Sequence, residues 1–293
     1  MISKNCQVNE YARLVKIAGW LSITTATILI LSKIVALLMT QSSTLLASLT
    51  DSFLDVFAAV INLIAINYSL HPADEQHRYG HGKIESIASL SQAVLIGGSS
   101  FFLIIHGITR VYSPITIENI DVGIEITILS MVLTVVLISI QSFVIKKTKS
   151  QVIIADRLHY LSDVIFNIGV LISLYISSCG FLYFDGLFSI ILGLYILKSS
   201  YMLLVSSLRV LIDTQIDESD VFKILDIIQS EEEVKGVHDL RTRRAGSSIF
   251  IQAHIELDKN MSLDKAHSIA DNIEHAIIHV YPNADVTLHM EPI

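Results

Sequence analysis

The chain has 293 residues, of which 52% are hydrophobic and only 16% charged, a balance too apolar for an ordinary soluble domain of this length. Its formal net charge of −8 arises wholly after residue 213: 13 Lys+Arg stand against 13 Asp+Glu before that point, and 7 against 15 after it. An acidic tail repels nucleic acid, and two distant cysteines, Cys6 and Cys179, supply neither a disulfide framework nor a thiolate cage, so any metal must be held by nitrogen and oxygen.

The first residues carry no signal-peptide pattern, since Lys4, Glu10, Arg13 and Lys16 interrupt the start, and the first apolar span is expected to be retained. A bilayer-crossing helix needs ~20 mostly apolar residues. Six stretches meet that need, at about 14–38, 44–69, 86–109, 122–145, 153–178 and 185–208. The N-terminal tail and the second-to-third and fourth-to-fifth connections hold nine Lys and Arg, whereas the three opposite connections hold only Arg110. The positive-inside rule then places both termini in the cytoplasm. Lys33 and Lys198 fall inside spans; a snorkelling stem accounts for Lys33, and Lys198 has no account from the sequence.

After Arg209 the pattern becomes that of a small α/β unit. An amphipathic helix over "DESDVFKILDIIQS" precedes two alternating strands in "VHDLRTRRAGSSIFIQAHIEL", joined at Gly246-Ser247. A second helix, "SLDKAHSIADNIEHAIIHVY", opens at a Ser262 cap, and "ADVTLHME" is a last strand. The order predicts a small antiparallel sheet with helices on one face. The fold class is thus a polytopic α-helical membrane protein of six transmembrane helices with a C-terminal α+β, ferredoxin-like cytoplasmic domain, divided at 1–212 and 213–293.

Two carboxylates interrupt the second span. Asp51 and Asp55, in "LTDSFLDVF", are four apart and share a helix face, and "HYLSD" in the fifth span repeats the spacing with His159 and Asp163. One intramembrane Asp alone is as easily a packing residue or proton carrier. A charge at the bilayer centre costs at least ~2.5 kcal/mol, so two matched pairs call for a bound cation, or for protons in its absence. Three oxygens and one nitrogen suit a tetrahedral divalent transition metal and are too few for a calcium or magnesium cage.

These two motifs, with "SLHPADEQHRYGHGKIESIASL" and the tail segment "HDLRTR", make the chain resemble the cation diffusion facilitator family, in particular its bacterial ferrous-iron and zinc efflux pumps, over nearly its whole length. The resemblance implies that Asp51, Asp55, His159 and Asp163 form the transport site, of the zinc, iron and cadmium type. Asp74, His77 and His81, which by themselves read as a polar loop with two histidines, match the family's cytoplasmic loop metal site. His238, His254, His267 and His289 match its binuclear zinc site in the cytoplasmic domain, with Glu291 standing where the family carries Asp. His275 and His279 read as solvated helix residues. Lys83 and Asp213, each an ordinary interfacial charge by itself, match a structural charge pair near the dimer axis.

The function these readings imply is proton-coupled efflux of Zn2+ or Fe2+, with Cd2+ as a further substrate, across the inner membrane by a homodimer. Protons serve as counter-ion, lipid surrounds the helices, and a structural or regulatory Zn2+ sits in the tail. A membrane-anchored metal sensor or scaffold is the alternative, although it leaves the matched carboxylate pairs without a role. An intramembrane metalloenzyme lacks a metal-plus-base motif such as H-E-x-x-H. A channel lined by four direct ligands would release its metal slowly, so alternating access fits better.

Overall fold

The computed structural model describes residues 2–40, 43–112, 121–178 and 184–293. Within these, the side chains of Cys6 and Asp51 lie outside the described residues, as does Cys179 altogether. Six long helices come first: α1 (Ile2–Thr40), α2 (Ser43–Ser69), α3 (Ile84–Tyr112), α4 (Asp121–Thr148), α5 (Gln151–Ser178) and α6 (Phe184–Leu211). A shorter set follows: α7 (Glu218–Gln229), β1 (Gly236–Ala245), β2 (Ser248–Leu257), α8 (Leu263–Val280) and β3 (Ala284–Pro292).

The chain forms two compact bodies. One comprises Leu14–Leu70 and Ile84–Leu208; the other comprises Met1–Arg13, His71–Lys83 and Arg209–Ile293. The helical body buries polar residues among its apolar core and exposes large apolar ones. Ser22, Asn62, Gln92, Gln141 and Asp156 are buried, while Phe57, Leu95, Phe102, Val136 and Tyr201 are exposed on the flanks. In water such an apolar exterior would be an aggregation surface; against lipid tails it is the matching one. Stretches long and apolar enough to cross a membrane occur at Glu10–Val35, Ile84–Tyr112, Ser130–Thr148 and Gly186–Leu211 among the described residues. The other two long helices, α2 and α5, are those that carry Asp55, His159 and Asp163.

Local chemistry sets the helix ends. Helix α2 stops just before His71-Pro72, because a proline disfavours helical geometry in the residue before it. Between α4 and α5 only Lys149 and Ser150 intervene, with Lys149 at a φ of 52°. That left-handed turn folds the two helices antiparallel, and the Ser150 hydroxyl donates a 2.7 Å hydrogen bond to buried Glu85 at the start of α3. Helices α3 and α6 approach backbone to backbone: a Cβ on Gly107 would lie 2.8 Å from the Gly186 carbonyl oxygen, so both positions require glycine. The ammonium of Lys33 donates a 2.6 Å hydrogen bond to the Ser52 hydroxyl on α2, so a polar partner within the bundle, not a snorkelling stem alone, accommodates it. Lys198 is exposed on α6.

In the second body the core is an isoleucine layer between sheet and helices. Ile224 and Ile228 of α7 and Ile269, Ile273 and Ile277 of α8 recur at four-residue spacing and pack on Ile249, Ile251 and Ile255 of β2. The Ser262 hydroxyl accepts a hydrogen bond from the Lys265 backbone N–H, capping α8 as its sequence predicts. Sheet order is β1-β2-β3. The expectation of an antiparallel sheet holds only for β1 and β2, which turn at Gly246 with a φ of 58°; β3 runs parallel to β2. The reason is the crossover: α8 carries the chain back along the sheet, so β3 starts at the same end as β2.

Register then aligns three histidines. His238 pairs with His254 across β1 and β2, and His254 pairs with His289 across β2 and β3. Because side chains alternate along a strand, and Ile251 and Ile255 face the helices, His254 and its row stand on the opposite face of the sheet.

Candidate metal centres

Three groups of His and carboxylate donors have ligand atoms within 4.8 Å of one another among the described residues. The first lies between α2 and α5. His159 Nε2 stands 3.0 Å from Asp55 Oδ1 and 3.7 Å from Asp163 Oδ2. Donors around a tetrahedral ion at ~2.0–2.2 Å lie about 3.4 Å apart, a separation these two distances bracket. Asp51, one turn before Asp55 on α2, completes the expected set in the sequence, but its side chain lies outside the described residues.

Beside this group is a polar cluster that sequence reading passed over. The Asp156 carboxylate on α5, 2% exposed and three residues before His159, accepts hydrogen bonds from Ser22 of α1 at 2.5 Å, Asn62 of α2 at 3.0 Å and Gln141 of α4 at 2.7 Å. Asn62 also donates to Gln92 Oε1 on α3 at 2.9 Å, and Gln141 to the Ser22 hydroxyl at 3.1 Å. Neutral donors from three other helices thus converge on one carboxylate of α5, which removes the usual objection to a buried acid in an apolar body. Only the aspartate set in an apolar helix could have flagged the site; its partners are single polar residues in unrelated helices.

The second group sits on the connection between α2 and α3. Asp74 Oδ1 accepts from the backbone N–H of His77 at 2.6 Å and of Gln76 at 2.9 Å, folding the loop around its carboxylate. The His77 backbone N–H, with Gln76 and the His77 ring adding to it, holds the Asp74 carboxyl below its ordinary range. His77 Nδ1 is 3.2 Å from Asp74 Oδ1, and His81 Nε2 is 3.4 Å from Asp74 Oδ2. The arrangement offers an anionic oxygen and two imidazoles to one cation.

The third group uses the histidine row of the sheet. Glu291 bridges two of its members, with Oε2 3.1 Å from His238 Nε2 and Oε1 2.9 Å from His254 Nδ1; His289 Nε2 is 3.8 Å from Oε1. The extra methylene of glutamate therefore does not prevent its carboxylate from spanning two imidazoles. Glu256, which sequence reading did not single out, faces the other nitrogen of His238 at 3.1 Å. A carboxylate there fixes the ring's tautomer and orientation. His267 is not brought into this group: it lies on α8, across the sheet from the row, with its ring 3.7 Å from Asp271.

Lys83 and Asp213 do meet, with Nζ 2.9 Å from Oδ1, and Arg243 lies 3.5 Å from the same oxygen. Burial pushes the Asp213 carboxyl up, but the Lys83 ammonium and then Arg243 outweigh it and hold the group below its ordinary range. Arg243 also stacks over Tyr79 at 4.4 Å and Phe250 at 4.7 Å, and Gly82 packs so closely on the Ala245 carbonyl that no side chain fits there. The 71–83 connection is thereby fastened to the β1–β2 hairpin.

Comparison with known proteins agrees with this layout. Residues 19–212 match the cation efflux transmembrane domain, and residues 216–293 match the cytoplasmic, dimerisation domain of cation efflux proteins. The molecule is thus a multi-pass membrane transporter of divalent metal cations and not an enzyme. More particularly, the chain belongs to the cation efflux, or cation diffusion facilitator, family. It is 44% identical over 283 residues to the cation-efflux pump FieF of Serratia proteamaculans (strain 568), covering 97% of this chain and 94% of that protein. It is also 42% identical over 287 residues to the cation-efflux pump FieF of Shewanella oneidensis, covering 98% of this chain and 97% of that one.

Proposed function

We propose that the protein exports Zn2+ or Fe2+, with Cd2+ accepted by the same donors, from the cytoplasm across the inner membrane in exchange for protons. The observation that carries the reading is the 3.0 Å approach of His159 Nε2 to Asp55 Oδ1 across α2 and α5, with Asp163 beside it. Asp51, Asp55, His159 and Asp163 form the transport site, and α1–α6 are six membrane spans with both termini in the cytoplasm. The division falls at 1–212 for transport and 213–293 for metal binding and dimerisation.

In the cycle, ionised carboxylates and a neutral imidazole take the metal when the site opens to the cytoplasm. After the site turns outward, protons compete for the same oxygens and nitrogen and release it. Proton occupancy then restores near-neutrality, which lowers the cost of returning the empty site through a low-dielectric body. Asp74, His77 and His81 hold a second metal on the cytoplasmic connection. His238, His254, His289 and Glu291 hold a structural or regulatory Zn2+ in the tail; His267, grouped with them by the resemblance, lies across the sheet from them within one chain. Lys83 and Asp213 act as a structural pair. The test is pH-gradient-driven zinc uptake in proteoliposomes: Asp51→Ala abolishes it if the assignment is right, and unaltered flux overturns it.

A further inference from the structure

We propose that His71 is a fourth ligand of the loop site, closing Asp74, His77 and His81 into a three-nitrogen, one-oxygen shell for a tetrahedral divalent cation. The proposal rests on the reading of that loop as a metal site. With three donors alone the site would keep one position for water or an incoming group; a fourth protein ligand fills that position.

His81 is the fixed point, with its side chain only 4% exposed. Two other imidazoles flank it. The His77 ring centroid lies 4.4 Å from that of His81, and the His71 centroid lies 6.3 Å from it at an interplanar angle of 74°. Metal–nitrogen bonds of ~2.0–2.1 Å put each centroid about 3.2 Å from the ion, so two imidazoles on one tetrahedral ion have centroids about 5 Å apart. The observed separations fall on either side of that value, one slightly short and one slightly long. Both His71 and His77 are exposed, so rotation of these outer rings toward buried His81 meets no packed core.

The backbone favours the same closure. His71 directly follows the last turn of α2, where the Leu70 N–H still bonds to the Ile66 carbonyl at 3.3 Å, and Pro72 after it limits its backbone. The loop then turns back on itself, with Gly80 N–H bonded to the His77 carbonyl at 2.9 Å. His71 is therefore presented from a fixed helix end, at the same place where the loop returns His81. A closed shell would make this a resident metal that braces the 71–83 connection while the transport site loads and empties.

The test uses the full chain, with the transport site disabled by Asp55→Ala and His159→Ala and the tail site by His254→Ala, and Co2+ as the probe. In that background Co2+ binds with the intense visible bands of a four-coordinate site. His71→Gln weakens binding at least tenfold and shifts those bands as an imidazole gives way to water. Unchanged affinity and unchanged bands in His71→Gln, in a protein whose Co2+ binding is still lost with Asp74→Ala, overturn the fourth ligand but keep the loop site. Co2+ binding that is absent, or indifferent to Asp74→Ala, overturns the loop site and His71 with it.

Discussion

Asn62 and Asp156 join α2 to α5 through a 3.0 Å hydrogen bond from amide to carboxylate, seven residues after Asp55 on one helix and three before His159 on the other. The bond fixes the register of the two helices that carry the candidate donors Asp55, His159 and Asp163. Both amide hydrogens of Asn62 are used, one on Asp156 and one on Gln92. Both of those of Gln141 are used as well, on Asp156 and Ser22.

Removing that acceptor leaves buried donors without a partner, at about 1–3 kcal/mol for each group left unsatisfied. Asp156→Ala is therefore expected to lower the thermal unfolding midpoint of the detergent-solubilised protein markedly, and Asp156→Asn to lower it less. Asp55→Ala removes a donor of the proposed transport site and is expected to abolish flux while leaving the midpoint near that of the wild type. A midpoint unchanged in Asp156→Ala would contradict the account of this cluster.

In the proposed transport site His159 supplies the single nitrogen beside the carboxylates. Replacing it by Ala is expected to depress transport of nitrogen-preferring zinc more than that of oxygen-tolerant manganese, measured side by side in proteoliposomes. An equal loss for both metals would mean that the ring acts only by filling space.

The Lys83–Asp213 pair sets a pH dependence. The Asp213 carboxyl is held below its ordinary value of ~3.9, so the pair's contribution is present above about pH 4 and is lost as pH falls through the lowered value. Both side chains are partly solvated, which limits the effect to less than about 1 kcal/mol. The difference in thermal midpoint between wild type and Lys83→Met is expected to be constant from pH 7 to 5 and to shrink below pH 4. A difference that grows on acidification would reverse the sign.

Ile273 is 2% exposed in the isoleucine layer of the tail. Its replacement by Ala leaves a cavity that costs about 2–5 kcal/mol. Denaturant unfolding followed through a reporter in the tail should show a lower midpoint with little change of slope, and transport of the folded fraction should persist.

Glu291 touches both His238 and His254. Glu291→Gln keeps the shape and removes the charge, and zinc binding by the tail is expected to weaken at least tenfold in a chain whose other sites are disabled. Zinc titration with a competing chelator measures this directly, and no change would place the metal elsewhere.

Much of this was legible in the sequence because its signals are periodic. The i,i+4 motifs a hundred residues apart point to the meeting of Asp55 with His159 and Asp163, and the isoleucines at 269, 273 and 277 announce a helix face. The Asp156 cluster was not legible, since Ser22, Asn62 and Gln141 are lone polar residues whose convergence depends on helix rotation. Nor was the parallel pairing of β2 with β3, because strand direction depends on the crossover and not on the composition of either strand. Tyr79, Gly82 and Arg243 were silent for a related reason: stacking and close backbone approach have no spacing signature. His267 showed the opposite case, a histidine grouped with the others by resemblance that the sheet separates from them within one chain.

The row His238–His254–His289 crosses three strands, one of them delivered by the last residues of the chain. An ion bound to that row is lost when the strands part, so folding of the tail is linked to the concentration of free metal by RT ln(1 + [M]/Kd), about 2.7 kcal/mol at a hundredfold excess over Kd. In the proposed tail site the sheet would in that sense be a gauge, its firmness rising and falling with the supply of free metal around it.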